Sequence, residues 1–425
     1  MPLPSVQTAA PAPTSSAPFE VRSIELDEFP AFVRVSNAAF GERSPDDELA
    51  DIRQGFEFDR SVAAFDAGRM VGTASAYSFD LTLPGSTTLP AAGVSWVGVL
   101  PTDRRRGVLR AMMRYQLERT RERGEALAIL TASESSIYGR FGYGLATTTQ
   151  TLEIDTRHAG FRHPLEDTGQ LRLVDHETGA RLLQDLYDNV RRAQPGAISR
   201  SAERWASILA KPNQSMGSMS PRFFLTYTAH GGELEGLAVY RIEQRWSDGF
   251  SSGTLVLRDL LALTREAYAS LWRFCLDADL ITAVRADLRP LDEPVRWMLS
   301  DPRRLRTVGT RDELWLRVLD VSAALAARRY ETEGTLTLEI IDSFPGIAAG
   351  RYTLDGGPEG ATCRPTTASP DLTLDAADLG AIYLGGVRPS TLARAGRVAE
   401  GTPRGLARAD ALFGCWPAPY CATTF

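Results

Sequence analysis

Long apolar runs and an export signal are both missing from this sequence of 425 residues. No stretch approaches the roughly 18 consecutive apolar residues that suggest a membrane-spanning helix. The first twenty residues contain neither Lys nor Arg and no apolar run, which argues against a signal peptide. With 43% hydrophobic and 24% charged residues, the composition also excludes a fibrous, coiled-coil or wholly disordered protein. We therefore expect a globular protein of the cytoplasm with no membrane span.

Cysteine and histidine are scarce as well. The four cysteines (Cys275, Cys363, Cys415 and Cys421) form no CxxC pair, and the four histidines do not alternate with them at the spacing of metal ligands. We therefore expect no metal site, and free thiols are favoured over disulfide bonds. The formal net charge of −6 argues against a nucleic-acid partner, which usually requires a basic face.

Lysine is almost absent: of the 47 basic residues only Lys211 is a lysine, and all the others are arginines. Codon usage in a GC-rich genome is the simplest explanation for most of them. Guanidinium groups also suit phosphate binding, but that function requires arginines that cluster at a suitable place. Arg104, Arg105 and Arg106 form the one cluster that coincides with a plausible phosphate site.

The length predicts about two to four domains. Residues 1–18 are rich in Pro, Ala, Ser and Thr and are predicted to be a disordered tail. The order helix, hairpin, strand, long helix, strand, short helix and strand in residues 19–160 recurs downstream, which indicates an internal duplication. Residues 161–310 are predicted to be the second domain. Residues 311–425 are predicted to form a smaller α+β domain.

In the first repeat, apolar spacing predicts a helix over 27–40, a strand over 93–99, a helix over 108–123 and a strand over 126–131. Ser133 is predicted to cap a short helix that follows. In the second repeat we expect a helix over 264–278 and a final strand over 313–319. Its strand-to-helix turn, Ala262-Leu263-Thr264, has no Arg-Arg-x-Gly sequence, so this copy is predicted to bind no cofactor.

The turn between strand 93–99 and helix 108–123 has the features of an anion site. Unpaired amides at a helix start attract phosphate, and Gly107 allows close approach of the backbone. Arg104–Arg106 add guanidinium groups that pair with phosphate oxygens. On these residues alone, a solvated basic helix start is an equally good interpretation.

Two motifs in this region resemble the GCN5-related N-acetyltransferases (GNAT). Arg104-x-x-Gly107 after a Val-Gly-Val strand looks like their acetyl-CoA pyrophosphate loop, and the segment 138–143 looks like their Tyr-x-x-x-Gly-aromatic motif. The fuller string TASESSIYGRFGYG (131–144), with two such units and a small third domain, is similar to the Eis (enhanced intracellular survival) family. That resemblance implies an α+β fold with tandem GNAT domains and a C-terminal sterol-carrier-protein-like domain.

The resemblance also implies an activity. The Eis family is described as acetyl-CoA-dependent N-acetyltransferases that modify aminoglycosides at several amines by direct attack. It implies a catalytic domain in 19–160, a second, degenerate GNAT domain in 161–310, and a domain 311–425 whose end enters the active site. A symmetric homo-oligomer such as a hexamer is implied too.

The family's site residues can be carried over by position. The positions implied to bind the cofactor are Val97, Gly98, Val99, Arg104, Arg105, Arg106, Gly107, Val108, Leu109, Arg110, Ser133 and Glu134. Tyr138 is implied as the general acid that protonates the leaving CoA thiolate. Leu109 departs from the small residue usual in the wider superfamily, although the Eis-like pattern tolerates a bulky one.

A general base is harder to find, because no histidine lies within 93–144 and His158 and His163 follow on a predicted connector. The resemblance implies the C-terminal carboxylate, here that of Phe425. From the residues alone, a C-terminus normally frays in solvent. Tyr143 is likewise as plausible a phenol as Tyr138.

A cationic small-molecule amine is the expected acceptor. The positions that suggest it are Ser95 and Trp96 beside the cofactor strand, and the acidic Asp27, Glu28, Asp46, Asp47 and Glu48 near the N-terminus. Such charges are more often a solvated face. Three alternatives stay open: an acetyltransferase of protein lysine or another small amine, a non-enzymatic lipid- or CoA-binding protein, and a CoA sensor without turnover.

Overall fold

The computed structural model describes residues 19–42, 49–166, 169–210, 219–344 and 346–425, so the predicted disordered tail lies outside the described residues. The chain divides into two compact units. The first comprises residues up to Ala50, Glu57–Ser75 and Trp96–Gln116, and the second comprises Asp51–Phe56, Ala76–Ser95 and Leu117–Phe425.

Within residues 19–155 the helices and strands are β1 (Glu20–Ser23), α1 (Phe29–Phe40), α2 (Leu49–Gln54), β2 (Val62–Asp66), β3 (Arg69–Thr82), β4 (Thr88–Val99), α3 (Val108–Glu122), β5 (Leu127–Leu130), α4 (Ser135–Tyr138), β6 (Gly144–Leu145) and β7 (Thr148–Asp155). The predicted helices and strands of this region are confirmed. In the first unit, β2 pairs antiparallel with β1 and with the start of β3. Helix α1 buries Phe29, Phe32, Val33 and Ser36, which lie on one face at helical spacing.

Residues 170–318 form β8 (Gln170–Val174), α5 (His176–Arg192), α6 (Ala202–Ala210), β9 (Phe223–Thr228), β10 (Leu234–Glu243), β11 (Trp246–Ser247), β12 (Phe250–Ser251), β13 (Gly253–Ala262), α7 (Arg265–Asp277), β14 (Ile281–Arg289), α8 (Val295–Met298), β15 (Leu305–Asp312) and β16 (Trp315–Val318). Seven strands form one sheet in the order β15-β7-β14-β13-β10-β9-β8. Its core contains fully buried Trp272, Leu255 and Val284.

The two acetyltransferase-like repeats exchange a strand. Strand β7 follows β6 in sequence but lies between β15 and β14, whereas β16 pairs antiparallel with both β5 and β6. The predicted strand over 313–319 is present as β16, but it pairs with strands of the first repeat and not, as expected, with those of the second. The apolar pattern of β16 identifies a buried strand, but the pattern does not specify which of the two sheets the strand joins. In the structure Leu316 of β16 lies opposite Ile129 of β5, and both side chains are fully buried.

The rest of the chain forms α9 (Val321–Ala327), β17 (Gly334–Ile341), β18 (Gly350–Gly357), β19 (Gly360–Pro365), β20 (Leu372–Asp375), α10 (Ala376–Ile382), α11 (Pro389–Arg394), β21 (Ala399–Glu400) and α12 (Gly405–Phe413). The strands form a five-stranded sheet in the order β19-β18-β17-β20-β21. Helix α10 packs backbone to backbone on β6 and β16. A Cβ on Gly144 would lie 1.8 Å from the Ala377 carbonyl oxygen, and one on Gly380 would lie 2.1 Å from the Leu316 carbonyl oxygen.

A fully buried ion pair also joins β16 to the C-terminal domain. Arg317 Nη2 donates to Asp342 Oδ2 at 2.5 Å and to the Phe344 carbonyl at 3.0 Å, and neither charged side chain is more than 1% exposed. A Cβ on Gly142 would lie 2.2 Å from Arg317 Nη1, so the guanidinium packs directly against that glycine. Phe141 and Phe344 stack edge to face at 5.0 Å beside it.

We expect Asp342→Ala to destabilise the protein by about 3–5 kcal/mol, because it leaves the Arg317 charge buried without its partner. Chemical denaturation followed by circular dichroism measures this loss. Arg351→Gln in the same domain is the matched control, since it removes a half-exposed pair with Glu339 (2.8 Å). That control should cost about 0–1 kcal/mol. Equal losses in the two variants would contradict the role of the buried pair.

Within the described residues, no helix combines the length and the apolar character that a membrane crossing requires.

Candidate active site

The loop between β4 and α3 presents free backbone amides. Gly107 has a φ of 92° and Arg105 a φ of 62°, both in the left-handed region, and open space surrounds the position of a Gly107 Cβ. Across the described part of the chain, the amides of Arg105, Arg106 and Gly107 donate to no acceptor. Since these amides precede helix α3 directly, the loop has the donor set that an anion such as a pyrophosphate requires.

The arginine side chains of this loop mostly bind protein groups. Arg104 donates to the carbonyl of Ala39 at 2.8 Å, and Arg106 donates to Asp66 at 2.9 Å and Asp103 at 2.8 Å. Hydrogen bonding to Asp66 raises the pKa of Arg106 above its usual value. Arg105 is exposed and has no partner among the described residues. Arg104 and Arg106 therefore shape the loop, which leaves the backbone amides and Arg105 for a ligand.

Two further predicted cofactor positions of this unit, Val108 and Leu109, pack their side chains into the protein. Val108 is buried and Leu109 packs against the same cluster as Met112, while Arg110 is exposed in the first turn of α3. A Cβ on Gly98 would lie 2.9 Å from the Ala39 Cβ, so this glycine is required by the approach of α1.

The end of β4 is irregular. Trp96 has a φ of 56°, and its carbonyl accepts a hydrogen bond from Thr73 Oγ1 at 2.9 Å. The side chains of Ser95, Val97 and Val99 are partly buried. Such an irregularity interrupts regular pairing and redirects side chains at a strand end.

Replacing Gly107 by alanine should weaken CoA binding about 5- to 30-fold, because the left-handed conformation costs an alanine about 1–2 kcal/mol. In the variant, the free loop relaxes out of the left-handed conformation, and CoA binding must force residue 107 back into it. Gly124→Ala is the matched control, since Gly124 ends the same helix with a φ of 79° and equally open surroundings. Calorimetry should show lower affinity for the first variant only; equal affinities would contradict the loop assignment.

Tyr138 ends helix α4 in the second unit. The helix begins at Ser135 and no side chain caps it, so the prediction of Ser133 as its cap was wrong. The chain stays extended through Glu134, and local preference does not distinguish between the serines of the SESS string. Ser133 and Glu134 are both exposed beside this helix.

The phenol of Tyr138 is suited to donate a proton. Only 7% of the residue is exposed, and this burial, with a smaller contribution from the charge of Glu134, raises its pKa to about 12. Tyr143 meets its ring edge-on at 6.0 Å but is fully buried, and its hydroxyl has no partner in the described part of the chain. Tyr143 has no exposed surface through which to meet a substrate, so of the two phenols Tyr138 is the better candidate acid.

Phe425 does not fray into solvent. Its carboxyl oxygen accepts a hydrogen bond from Thr131 Oγ1 at 3.2 Å, and its ring packs against Phe79 with 4.8 Å between centroids. A Cβ on Gly93 would lie 3.1 Å from the same ring. Thr131 begins the segment that leads to Tyr138, the candidate acid. The hydrogen bond from Thr131 therefore holds the terminal carboxyl against that segment.

The remaining sequence candidates contribute less. Glu28 accepts two hydrogen bonds from Arg22 (2.7 and 2.8 Å), which lower its pKa to about 2, so its charge is already paired. Asp27, His158 and His163 are exposed. Asp46, Asp47 and Glu48 lie outside the described residues. In the part of the chain that is described, no cluster of three or more His, Cys, Asp or Glu side chains is placed to hold a metal ion.

In the second repeat, the side chain of Thr264 caps the start of helix α7, which follows β13. Thr264 Oγ1 accepts from the amide of Ala267 at 3.2 Å and donates to Glu235 at 2.8 Å. This cap leaves fewer amides for an anion than the loop before α3 does. That the second repeat binds no cofactor stays a prediction.

Comparison with known proteins agrees with these features. Residues 20–146 and 196–318 each match a family model of an acetyltransferase (GNAT) domain, and residues 321–422 match a sterol carrier protein domain. N-acetyltransferase Eis of Mycobacterium tuberculosis is 33% identical over 396 residues, which cover 91% of this chain and 94% of that protein. The chain belongs to the Eis family of N-acetyltransferases.

Other relatives of this Eis-family enzyme span nearly its full length. An uncharacterized N-acetyltransferase of Streptomyces avermitilis is 38% identical over 403 residues, covering 94% of this chain and 98% of the relative. The crystal structure of Eis1 from Mycobacterium abscessus superposes with a TM-score of 0.84 at 33% identity, over 96% of this chain and all of that one. The predicted tandem GNAT domains, the C-terminal sterol-carrier-like domain and N-acetyltransferase activity are thereby confirmed, and GNAT domains use acetyl-CoA as co-substrate.

Sequence reasoning missed the residues of this Eis-family enzyme that hold the last part of the chain. Thr131 binds the Phe425 carboxyl, and Arg200 and Arg204 bind the two residues before it. Neither arginine lies in a motif, and both are separated from the C-terminus by more than 200 residues of sequence. No signal in a single sequence would have found them.

Proposed function

We propose that this enzyme transfers acetyl groups from acetyl-CoA to amines of aminoglycosides, at more than one position of the acceptor. Membership of the Eis family supports the acceptor class, since that family is described as acting on aminoglycosides. The net charge of −6 suits a cationic acceptor. The observation that carries the proposal is the hydrogen bond from Thr131 to the Phe425 carboxyl, because a carboxylate held there is a candidate base and no histidine lies within residues 93–144.

The proposed roles follow from the chemistry of each group. The amides of Arg105, Arg106 and Gly107 bind the pyrophosphate of acetyl-CoA, with Ser133 and Glu134 beside the thioester. The acceptor amine attacks the thioester carbon directly, and the Phe425 carboxylate accepts a proton from the amine, directly or through water. As the new C–N bond forms and the C–S bond breaks, Tyr138 donates its phenolic proton to the departing sulfur. No step in this scheme requires a metal ion.

A panel of aminoglycosides, polyamines and lysine peptides tests the proposal. Release of the free CoA thiol measures turnover, and mass spectrometry counts the acetyl groups on each product. We expect two or more acetyl groups on aminoglycosides that carry several primary amines. A single acetyl group would refute the multi-site claim, and turnover with lysine peptides or other small amines alone would refute the aminoglycoside assignment.

We also propose that the enzyme forms a homo-oligomer, a hexamer by analogy with the family. Large apolar side chains are exposed on the second acetyltransferase domain, among them Phe250 (78%) and Trp297 (77%), and they are candidates for a contact between copies of the chain. Light scattering after size-exclusion chromatography measures the mass, and a monomer would contradict this assignment.

A cytoplasmic location is proposed as well. All four cysteines are unpaired, and Cys275, Cys363 and Cys421 are buried, as expected in a reducing compartment.

A further inference from the structure

The tail of the chain is tethered several residues before its end. Gln194 Nε2 donates to the Ala418 carbonyl at 2.8 Å, and the amide of Tyr420 donates to the Pro195 carbonyl at 2.8 Å. Asp292 Oδ2 accepts from the amide of Ala418 at 3.2 Å. These partners of Ala418 and Tyr420 therefore come from the second acetyltransferase domain and from the residues just before it.

Thr423 provides a further anchor. Its Oγ1 accepts a hydrogen bond from Arg200 Nε at 2.9 Å and lies 3.0 Å from the hydroxyl of Tyr187. The Arg200 guanidinium stacks over the rings of Tyr187 (3.9 Å) and Trp205 (4.6 Å). Because Tyr187 and Trp205 belong to one buried apolar cluster of the second domain, this anchor is rigid.

Arg204 holds the residue next to the carboxyl. Its guanidinium donates to the Thr424 carbonyl and lies over the ring of Tyr77 at 5.5 Å. Burial lowers the pKa of Arg204, and within the described residues no carboxylate side chain pairs with it. On the other side, Thr424 Oγ1 donates to Glu313 Oε1 at 3.2 Å. Among the residues that the structure describes, this partly buried cation thus has one hydrogen-bond acceptor, and that acceptor is the peptide carbonyl adjoining Phe425.

We propose that the second acetyltransferase domain is the platform that holds the catalytic base, and that Arg204 is the positioning residue for the Phe425 carboxylate. This inference rests on the proposed function, in which that carboxylate accepts the proton of the amine. A chain end has few covalent constraints, so its carboxylate occupies one place only if neighbouring groups fix it. Displacement of a catalytic group by about 1 Å costs on the order of 100-fold in rate, which makes such fixing necessary.

Arg204→Met tests the role, because methionine keeps an unbranched apolar side chain but removes the donor and the charge. We expect kcat to fall about 10- to 100-fold while the KM for acetyl-CoA stays unchanged. Arg204→Lys should recover most of the lost activity, since it restores a donor and a charge. Arg192→Met is the matched control: Arg192 is exposed on α5 of the same region, pairs with Asp188 at 2.8 Å, and its loss should leave kcat unchanged.

A second readout separates positioning of a base from a general structural role. A weakly basic amine enters the site already deprotonated, so only the proton released on attack has to be accepted, whereas a strongly basic amine must also lose a proton before attack; for the weakly basic amine the loss in Arg204→Met should therefore be smaller. Thr131→Val removes the hydroxyl that binds the Phe425 carboxyl and should show the same dependence on the basicity of the amine. This second variant carries the test if Arg204→Met does not fold.

The outcomes separate the inference from the proposed function. Equal losses with weakly and strongly basic amines, a change confined to the KM for acetyl-CoA, or an unchanged kcat would overturn the role of Arg204. A wild-type enzyme that transfers acetyl to no amine would overturn the proposed function itself. An extension beyond Phe425 that leaves kcat intact would overturn the base, and the inference with it.

Discussion

Tyr138→Phe should lower kcat by about 100- to 1,000-fold, the range typical of a lost general acid, without changing the affinity for acetyl-CoA. The substitution removes one oxygen atom and keeps the ring that packs edge-on against Tyr143. Binding and folding are therefore preserved while the proton for the departing sulfur is lost. Steady-state kinetics, together with calorimetric titration of CoA, measure both quantities.

The pH dependence gives the same prediction a second test. Burial raises the pKa of Tyr138 to about 12 from its ordinary value of 10.0. The phenol therefore stays protonated as the pH rises through neutrality, and it remains an acid until the pH approaches that raised value. We expect no alkaline loss of wild-type kcat near pH 10 from this group; a loss there that disappears in Tyr138→Phe would contradict the raised pKa.

Tyr143→Phe is the matched control for Tyr138→Phe. The Tyr143 hydroxyl is fully buried and has no hydrogen-bond partner in the described part of the chain, so its removal relieves an unpaired polar atom. We expect unchanged kcat and equal or higher stability. If instead Tyr143→Phe abolished turnover and Tyr138→Phe did not, the roles of the two phenols would be reversed.

The parts of this enzyme that could be predicted from sequence are those whose signals are local. Strand β4, the loop with Gly107 and helix α3 follow from adjacent residues. Helix α3 and the end of β4 were predicted close to their observed bounds, although β4 begins at Thr88, five residues before the predicted start. The segment 131–144, which contains the proposed general acid, was recognisable because its residues are contiguous. Hydrophobic period and turn composition are sufficient for features of this kind.

Features that depend on remote partners could not be predicted. The strand β16 pairs with β5, more than 180 residues earlier, and its own pattern is compatible with either sheet. The sequence does not distinguish Arg104 and Arg106 from Arg105. In the structure, the guanidinium group of Arg104 donates to the Ala39 carbonyl and that of Arg106 donates to Asp66. Which of three adjacent arginines is available to a phosphate was therefore decided by tertiary contacts and not by the motif.

Extending the chain by a few residues beyond Phe425 should lower kcat by about 100-fold or more, because it converts the terminal carboxylate into a neutral amide that accepts no proton. The carboxyl now bonded to Thr131 at 3.2 Å would be replaced by a peptide carbonyl of similar shape. The loss should be greatest for strongly basic amines, which depend most on the base. Acetylation kinetics with an extension removable by a protease measure the effect, and cleavage back to Phe425 should restore activity.

Two controls separate the charge of the terminus from its packing. Phe425→Leu keeps the carboxylate and loses the ring contact with Phe79, so kcat should fall far less than in the extended chain. A tag of equal length at the N-terminus should have no effect, because it leaves the carboxylate free. Full activity in the extended chain would show that another group takes the proton of the amine, and the tethering of the tail by Arg200 and Arg204 would then serve stability alone.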